Sequence, residues 1–260
     1  MKVQYMTSSE LKTRAKDLLD GRYGSAILIL FVGNMIGGVL TSSISYAVNV
    51  AQLVFQINIV VSLLISMLLG AVAALFTNVF SVGYALFFLN MACRRSCDVS
   101  QLFYGFKCQF NKCLTLSGFF VLASLVCTMP FQLCYGMFLQ TKSVSWLMAT
   151  MLLLSASLIA STIISLLFSQ SYYLMLDFPD YTAQQLLRSS IQIMKGHMGR
   201  LIYLQVSFFP LTLLALLTCG IGMLWLNPYM HTTYACFFLD LMNPRKVPVD
   251  ASQEQMQQTN

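Results

Sequence analysis

Residues 25–48 read SAILILFVGNMIGGVLTSSISYAV, and they open a run from Ser25 to Ala92 that holds no Lys, Arg, Asp or Glu. A spanning helix needs about 20 mainly apolar residues, so this run alone specifies two crossings. Two further stretches share the property: Leu114 to Met175, interrupted only by Lys142, and Leu201 to Leu239. Across the 260 residues 57% are apolar and 9% charged, against about 25% charged in a soluble domain. Mean hydropathy is +0.71. So few charges cannot cover the surface of a soluble globule. The composition also excludes a disordered chain, a coiled coil and a disulfide-stapled secreted domain.

The expected fold is all-α, a polytopic helical membrane protein with six transmembrane helices, interfacial amphipathic helices and a candidate internal repeat. The spans read as 25–48, 57–90, 114–139, 145–176, 201–219 and 221–241. They form a membrane domain over 25–243, preceded by an amphipathic helix and elbow over 1–24 and followed by a disordered tail over 244–260. The second and fourth runs are too long for an upright span and must tilt, break or extend. Gly70, Asn78 and Gly83 are the expected break points in the second. A tight turn at Cys219-Gly220-Ile221-Gly222 joins the last two.

Net charge is +6, but placement says more than the sum. Fourteen of the fifteen Lys and Arg, all but Lys142, fall on one side of this arrangement, as do all nine acids. The positive-inside rule then puts both termini in the cytoplasm and leaves short uncharged outer loops at Thr41–Ser45 and Gln52–Asn58. The first apolar run lacks a cleavage pattern and reads as a retained signal anchor. No nucleic-acid partner is expected.

Thr7-Ser8-Ser9-Glu10 is a capping box, followed by an apolar stripe of Leu11, Ala15, Leu18 and Leu19 and by Gly21-Arg22-Tyr23-Gly24. A shift of 175 positions brings Thr182-Ala183-Gln184-Gln185, the stripe Leu186, Leu187, Ile191 and Met194, and Gly196-His197-Met198-Gly199 onto the same pattern. Ser100 to Lys112 reads as a weaker third copy whose aromatic residues suit the membrane interface.

Chemistry-bearing motifs are scarce. No H-E-x-x-H, G-x-S-x-G, P-loop or G-x-G-x-x-G occurs. Cys93-x3-Cys97 and Cys108-x4-Cys113 lack zinc or thioredoxin spacing, and no cofactor or metal is expected. The reading is non-enzymatic. Glycines that precede a helix leave its first N–H groups free for an anion. Gly21, Arg22 and Gly24, with Lys195, Gly196, His197, Gly199 and Arg200, are therefore candidate contacts for anionic lipid headgroups. The neutral groups Asn34, Gln132, Gln170, Gln205 and His231 are the candidate lining of a polar midplane cavity. The leading expectation is a membrane module that binds lipid or a partner protein at its cytoplasmic face. The alternative is a permease or exporter for an uncharged or amphipathic solute, which would need that cavity.

Several of these motifs together resemble an uncharacterised bacterial multi-pass membrane family. They are Glu10-Leu11-Lys12 with Ala15-Lys16, Gly21-Arg22-Tyr23-Gly24, Leu102-Phe103-x-Gly105-Phe106, and Ser190 with Met194-Lys195-Gly196-His197. Leu217-Thr218-Cys219-Gly220-Ile221-Gly222 and Pro228-Tyr229-x-x-Thr232-Thr233 complete the set. The family often has Pro-Gly in its fourth span, where this chain has Ala160-Ser161, so the kink implied by that dipeptide loses its basis here. The family is distantly similar to the membrane domain of glycerophosphodiester phosphodiesterases. That likeness implies a membrane module without catalytic residues of its own, handling lipid or polymer substrates for another enzyme. The expected location is a bacterial plasma membrane.

Overall fold

A computed structural model describes residues 2–56 and 58–247. Its helices are α1 (Ser8–Leu19), α2 (Tyr23–Phe55), α3 (Ile59–Ala92), α4 (Tyr104–Lys107), α5 (Phe110–Thr141), α6 (Val144–Phe168), α7 (Ser171–Asp177), α8 (Ala183–Met194), α9 (Met198–Val206), α10 (Phe209–Leu217) and α11 (Met223–Met242). A two-stranded antiparallel ribbon pairs β1 (Lys2–Gln4) with β2 (Arg245–Val247), tying the N-terminal segment to the chain after α11. The expected tail over 244–260 therefore begins in a strand, and 248–260 lie outside the described residues, as does Ile57 at the expected start of the second span.

Five stretches are long and apolar enough to cross a membrane: Tyr23–Phe55, Ile59–Ala92, Phe110–Thr141, Val144–Asp177 and Met198–Leu217. They fit a multi-pass membrane protein, with one span fewer than the six expected. The sixth, 221–241, is helical as α11. It carries His231 and Asp240, and Phe237, Phe238 and Asp240 are buried in protein. The fifth is divided at Ser207–Phe208 into α9 and α10. The fourth breaks at Ser169–Gln170, while α6 runs straight through Ala160-Ser161.

Two expected interruptions are absent. Thr41–Ser45 is not a loop: Thr41 Oγ1 donates to Gly37 O at 2.9 Å and Ser45 Oγ to Thr41 O at 3.0 Å. These hydroxyls are satisfied by the helix itself, and α2 continues through Gln52 to a left-handed Gln56. Nor does α3 break at Gly70, Asn78 or Gly83. In hydrocarbon every backbone group must find an internal partner, which opposes a break without a compensating group.

The four long helices form a row in which α2 packs on α3, α3 on α5 and α5 on α6. The short helices α1, α4, α7 and α8 gather at the end of the row that carries the charges. There α1 runs antiparallel to α11, with Met6 beside Asp240 and Lys16 Nζ 5.8 Å from the Tyr229 ring. The stripe Leu11, Ala15, Leu18 and Leu19 is buried in the core. Leu186 and Met194 of α8 are buried likewise. These amphipathic helices turn their apolar faces to protein and not to lipid.

The Leu102-to-Phe106 motif departs from the expected third copy. It is a 3-10 turn (Val99–Phe103) leading into α4, and neither element has a side-chain cap. Its backbone wedges against α3, where a Cβ on Gly83 would lie 2.3 Å from Leu102 O. Phe103 and Phe106 place their rings 5.9 and 5.1 Å from that of Phe80. Their partner is a helix side chain, and the aromatic pairing explains their place.

Candidate functional site

The two elbows have the same local construction. Thr7 and Thr182 each close a reciprocal capping box, with Glu10 and Gln185 respectively. Each helix runs twelve residues and is followed by a left-handed glycine, Gly21 at φ +70° and Gly196 at φ +86°. The capping residues then match closely: Asp20 at φ −58°, ψ 128° and Lys195 at φ −59°, ψ 120°. A left-handed residue after the helix reverses the chain at low cost only when it lacks a Cβ.

The charges at these elbows face different surroundings. Arg22 is exposed and donates from Nη1 to Arg95 O at 3.3 Å. Gly24, Lys195 and Gly199 are exposed as well. Arg200 is engaged within the fold: Nη2 donates to Asp240 Oδ2 at 2.7 Å and to Met6 O at 2.8 Å. Asp240, only 4% exposed, also accepts from Met6 N–H at 3.1 Å. The Arg200 guanidinium lies 4.6 Å from the Tyr5 ring centroid and 5.4 Å from that of Phe237. His197 meets Tyr5 edge-on at 4.6 Å. Burial, reinforced by Arg200 and opposed by Asp240, lowers the His197 pKa from its ordinary value. The second elbow is thus a clamp joining the N-terminal segment, α9 and α11.

A second clamp sits at the break between α9 and α10. Lys12 Nζ donates to Ser207 O at 2.8 Å and lies 4.2 Å from the Phe208 ring. Burial, with Lys16 nearby, lowers the pKa of its ammonium. In the sequence Lys12 reads as a topological charge and as part of the Glu10-Leu11-Lys12 motif. Its spacing gave no sign of Ser207, 195 positions away.

Between the row and the short helices lies a cavity of about 620 Å³, walled by α3, α5, α6, α7, α9 and α11. Its walls on α3 and α5 lie between about 10 and 27 Å from the charged ends of those helices, at 1.5 Å per residue. Gln170, Gln205 and His231, three of the five neutral groups expected to line such a space, do so. Asn34 and Gln132 do not; they sit on α2 and on the far part of α5. No charged residue is in the lining. The His231 ring stacks on Phe88 at 5.1 Å, with Tyr84 6.1 Å away.

Asn78, Tyr84, Ser124 and Ser165 are lining residues that the sequence reading missed. One signal was present: Ser161, Ser165 and Ser169 recur every fourth residue and so share a helix face. The cavity can hold an uncharged ligand beside several hydroxyl and amide groups. Its polar faces suit hydrogen bonding, and walls such as Phe120, Ile164 and Phe168 suit an apolar chain. No group of three His, Cys, Asp or Glu side chains converges for a metal among the described residues.

Residues 6–245 match the model of a family described as DUF975, a protein of unknown function, and the chain belongs to that family. No curated protein and no solved structure matches it.

Proposed function

We propose that this multi-pass protein of a bacterial plasma membrane holds an uncharged or amphipathic solute in its central cavity and serves as a permease or exporter for it. The observation that carries this reading is the charge-free cavity of about 620 Å³ that includes Gln170, Gln205 and His231. A carrier needs a polar site within the membrane, and a charged ligand in so neutral a site would be expensive. The protein acts without catalytic residues of its own and without a nucleic-acid partner. Both termini are cytoplasmic, on the strength of the loop charges and because α11 returns the chain to the face of the N-terminal segment, where Asp240 meets Met6. The family's distant likeness to a phosphodiesterase membrane domain is an analogy that agrees with a lipid-like ligand.

Flux of a fluorescent diacylglycerol in proteoliposomes tests the reading. Ser165→Trp fills the cavity and should abolish flux, while Arg22→Ala with Lys195→Ala leaves it unchanged. Orientation is checked in cells with a membrane-impermeant maleimide. The exposed Cys93 and Cys108 should react only after permeabilisation.

A second reading, binding of anionic lipid headgroups or a protein partner at the elbows, is favoured by the exposure of Arg22, Gly24, Lys195 and Gly199. It is weakened at Arg200, whose charge already meets Asp240. Flux that survives Ser165→Trp and falls in the elbow variant would favour it.

A further inference from the structure

We infer that the cavity selects a neutral amphiphile whose head carries a hydroxyl donor, and that Gln170 is the residue that reads it. The inference rests on the cavity being the ligand site. Gln170 is 2% exposed, lies in the lining, and joins α6 to α7. Its Nε2 donates to Ser169 Oγ at 2.8 Å. Ser169 Oγ donates its own hydrogen to Leu166 O at 2.9 Å, so towards Gln170 it can only accept. That order fixes the amide: nitrogen faces Ser169, and Oε1 turns away. Oε1 is buried and has no hydrogen-bond partner among the described residues. A buried acceptor without a donor is costly, and a ligand that supplies the donor removes the cost.

Two further serines of the lining point the same way. Ser124 Oγ donates to Val121 O at 2.8 Å and Ser161 Oγ to Leu158 O at 3.0 Å. Their hydrogens are engaged by their own helices, which leaves oxygen lone pairs as what they offer a ligand. Beside the amide and phenol donors of Asn78, Gln205 and Tyr84, the lining thus offers acceptors at Gln170, Ser124 and Ser161, and it holds no carboxylate to balance an ammonium. A neutral alcohol fits such a lining; an anion or a cation does not. Phe120, Ile164 and Phe168 supply the apolar wall for its chain. Ser124, Ser161 and Ser165 are exposed as well as lining, so the site is open and not sealed within the fold.

The test is equilibrium binding of radiolabelled monooleoylglycerol to the full chain in nanodiscs, with three unlabelled competitors: monooleoylglycerol, its diacetylated analogue and glycerol. A site that reads a hydroxyl rejects the analogue that lacks it. The diacetylated analogue should compete at least about tenfold less well, about the loss expected from one unsatisfied buried acceptor. Gln170→Leu, of similar volume, should bring the two lipids within about threefold of each other by weakening the hydroxyl-bearing one. Equal competition by the two lipids in the parent protein overturns the hydroxyl reading and leaves the cavity as the site. That comparison needs no variant. Displacement by glycerol as effective as by the lipid identifies a soluble polyol and overturns the amphiphile. No saturable binding of monooleoylglycerol overturns the cavity reading as well.

Discussion

Helix α3 passes through two environments. Between Val79 and Ala92 it buries Val79, Phe80, Val82, Ala85, Phe87, Phe88, Leu89 and Met91 against the short helices and the Leu102 turn. Between Val61 and Phe76 it exposes Val61, Leu68, Leu69, Val72 and Phe76. The side chains are of one kind in both halves, but their neighbours differ. The same division runs through α2, where Ala26, Ile29 and Leu30 are buried and Leu53, Val54 and Phe55 are exposed. One end of the row is thus a protein core of interlocking short elements, while at the far end the four long helices pack chiefly on their row neighbours. Apolar character in a membrane protein does not distinguish the two, because lipid and protein interior accept the same side chains.

The largest effect should come from the clamp at the charged end. Asp240→Ala leaves Arg200 without its counter-charge and the Met6 N–H without its acceptor. Its expected cost is about 3 kcal/mol, the low end for a broken buried pair because the Arg200 side chain is itself 28% exposed. Thermal melting in detergent reads it. A loss below that of an ordinary surface substitution would mean the charged end is not the stability centre.

Two glycines of the same helix sharpen the contrast. Gly83→Ala drives a methyl against the Leu102 backbone and should destabilise by about 2 kcal/mol. Gly70→Ala meets nothing within 4 Å and should be neutral or stabilise by up to about 1 kcal/mol through helix propensity. Equal melting shifts for the pair would break the comparison.

At the caps, Thr7→Ala and Thr182→Ala should each cost about 1 kcal/mol. Thr41→Ala in the far half should be close to silent, since its hydroxyl only returns to its own helix. Hydrogen exchange confined to α1 and α8 distinguishes the cap effect from global loss.

The smallest effect is one of pH. His197 has a lowered pKa in the fold, so around and below its ordinary value the unfolded chain binds more protons. Stability is therefore full above about pH 6.5 and falls as pH drops through that value. Between about pH 8 and pH 5 the parent should lose more melting temperature than His197→Gln. Equal losses would detach His197 from the Arg200 clamp's energetics.

Local chemistry was legible where it depends on residues a few positions apart. Both capping boxes, the left-handed Gly21 and Gly196, and the turn at Thr218–Gly222 follow from short-range patterns that the backbone must obey. The helix breaks were not: Gly70 and Gly83 looked like breakers yet sit in an unbroken helix, while the fourth run breaks at Ser169–Gln170. A glycine in an apolar setting lowers propensity by less than an unsatisfied backbone group costs. At Ser169 the hydroxyl returns to Leu166 O, and Gln170 Nε2 in turn satisfies Ser169 Oγ.

The sequence by itself determined that the chain is a bundle of apolar helices with its charges gathered in a few connecting segments. Hydropathy and charge are summed over each segment and need no knowledge of neighbours. Only the tertiary structure decided that Arg200 answers Asp240 forty positions on, that Lys12 reaches Ser207, and that Gln170, Gln205 and His231 share a cavity while Asn34 and Gln132 do not. Those outcomes depend on how helices from distant parts of the chain lie against one another, and hydropathy is blind to that because apolar surfaces are nearly interchangeable in lipid.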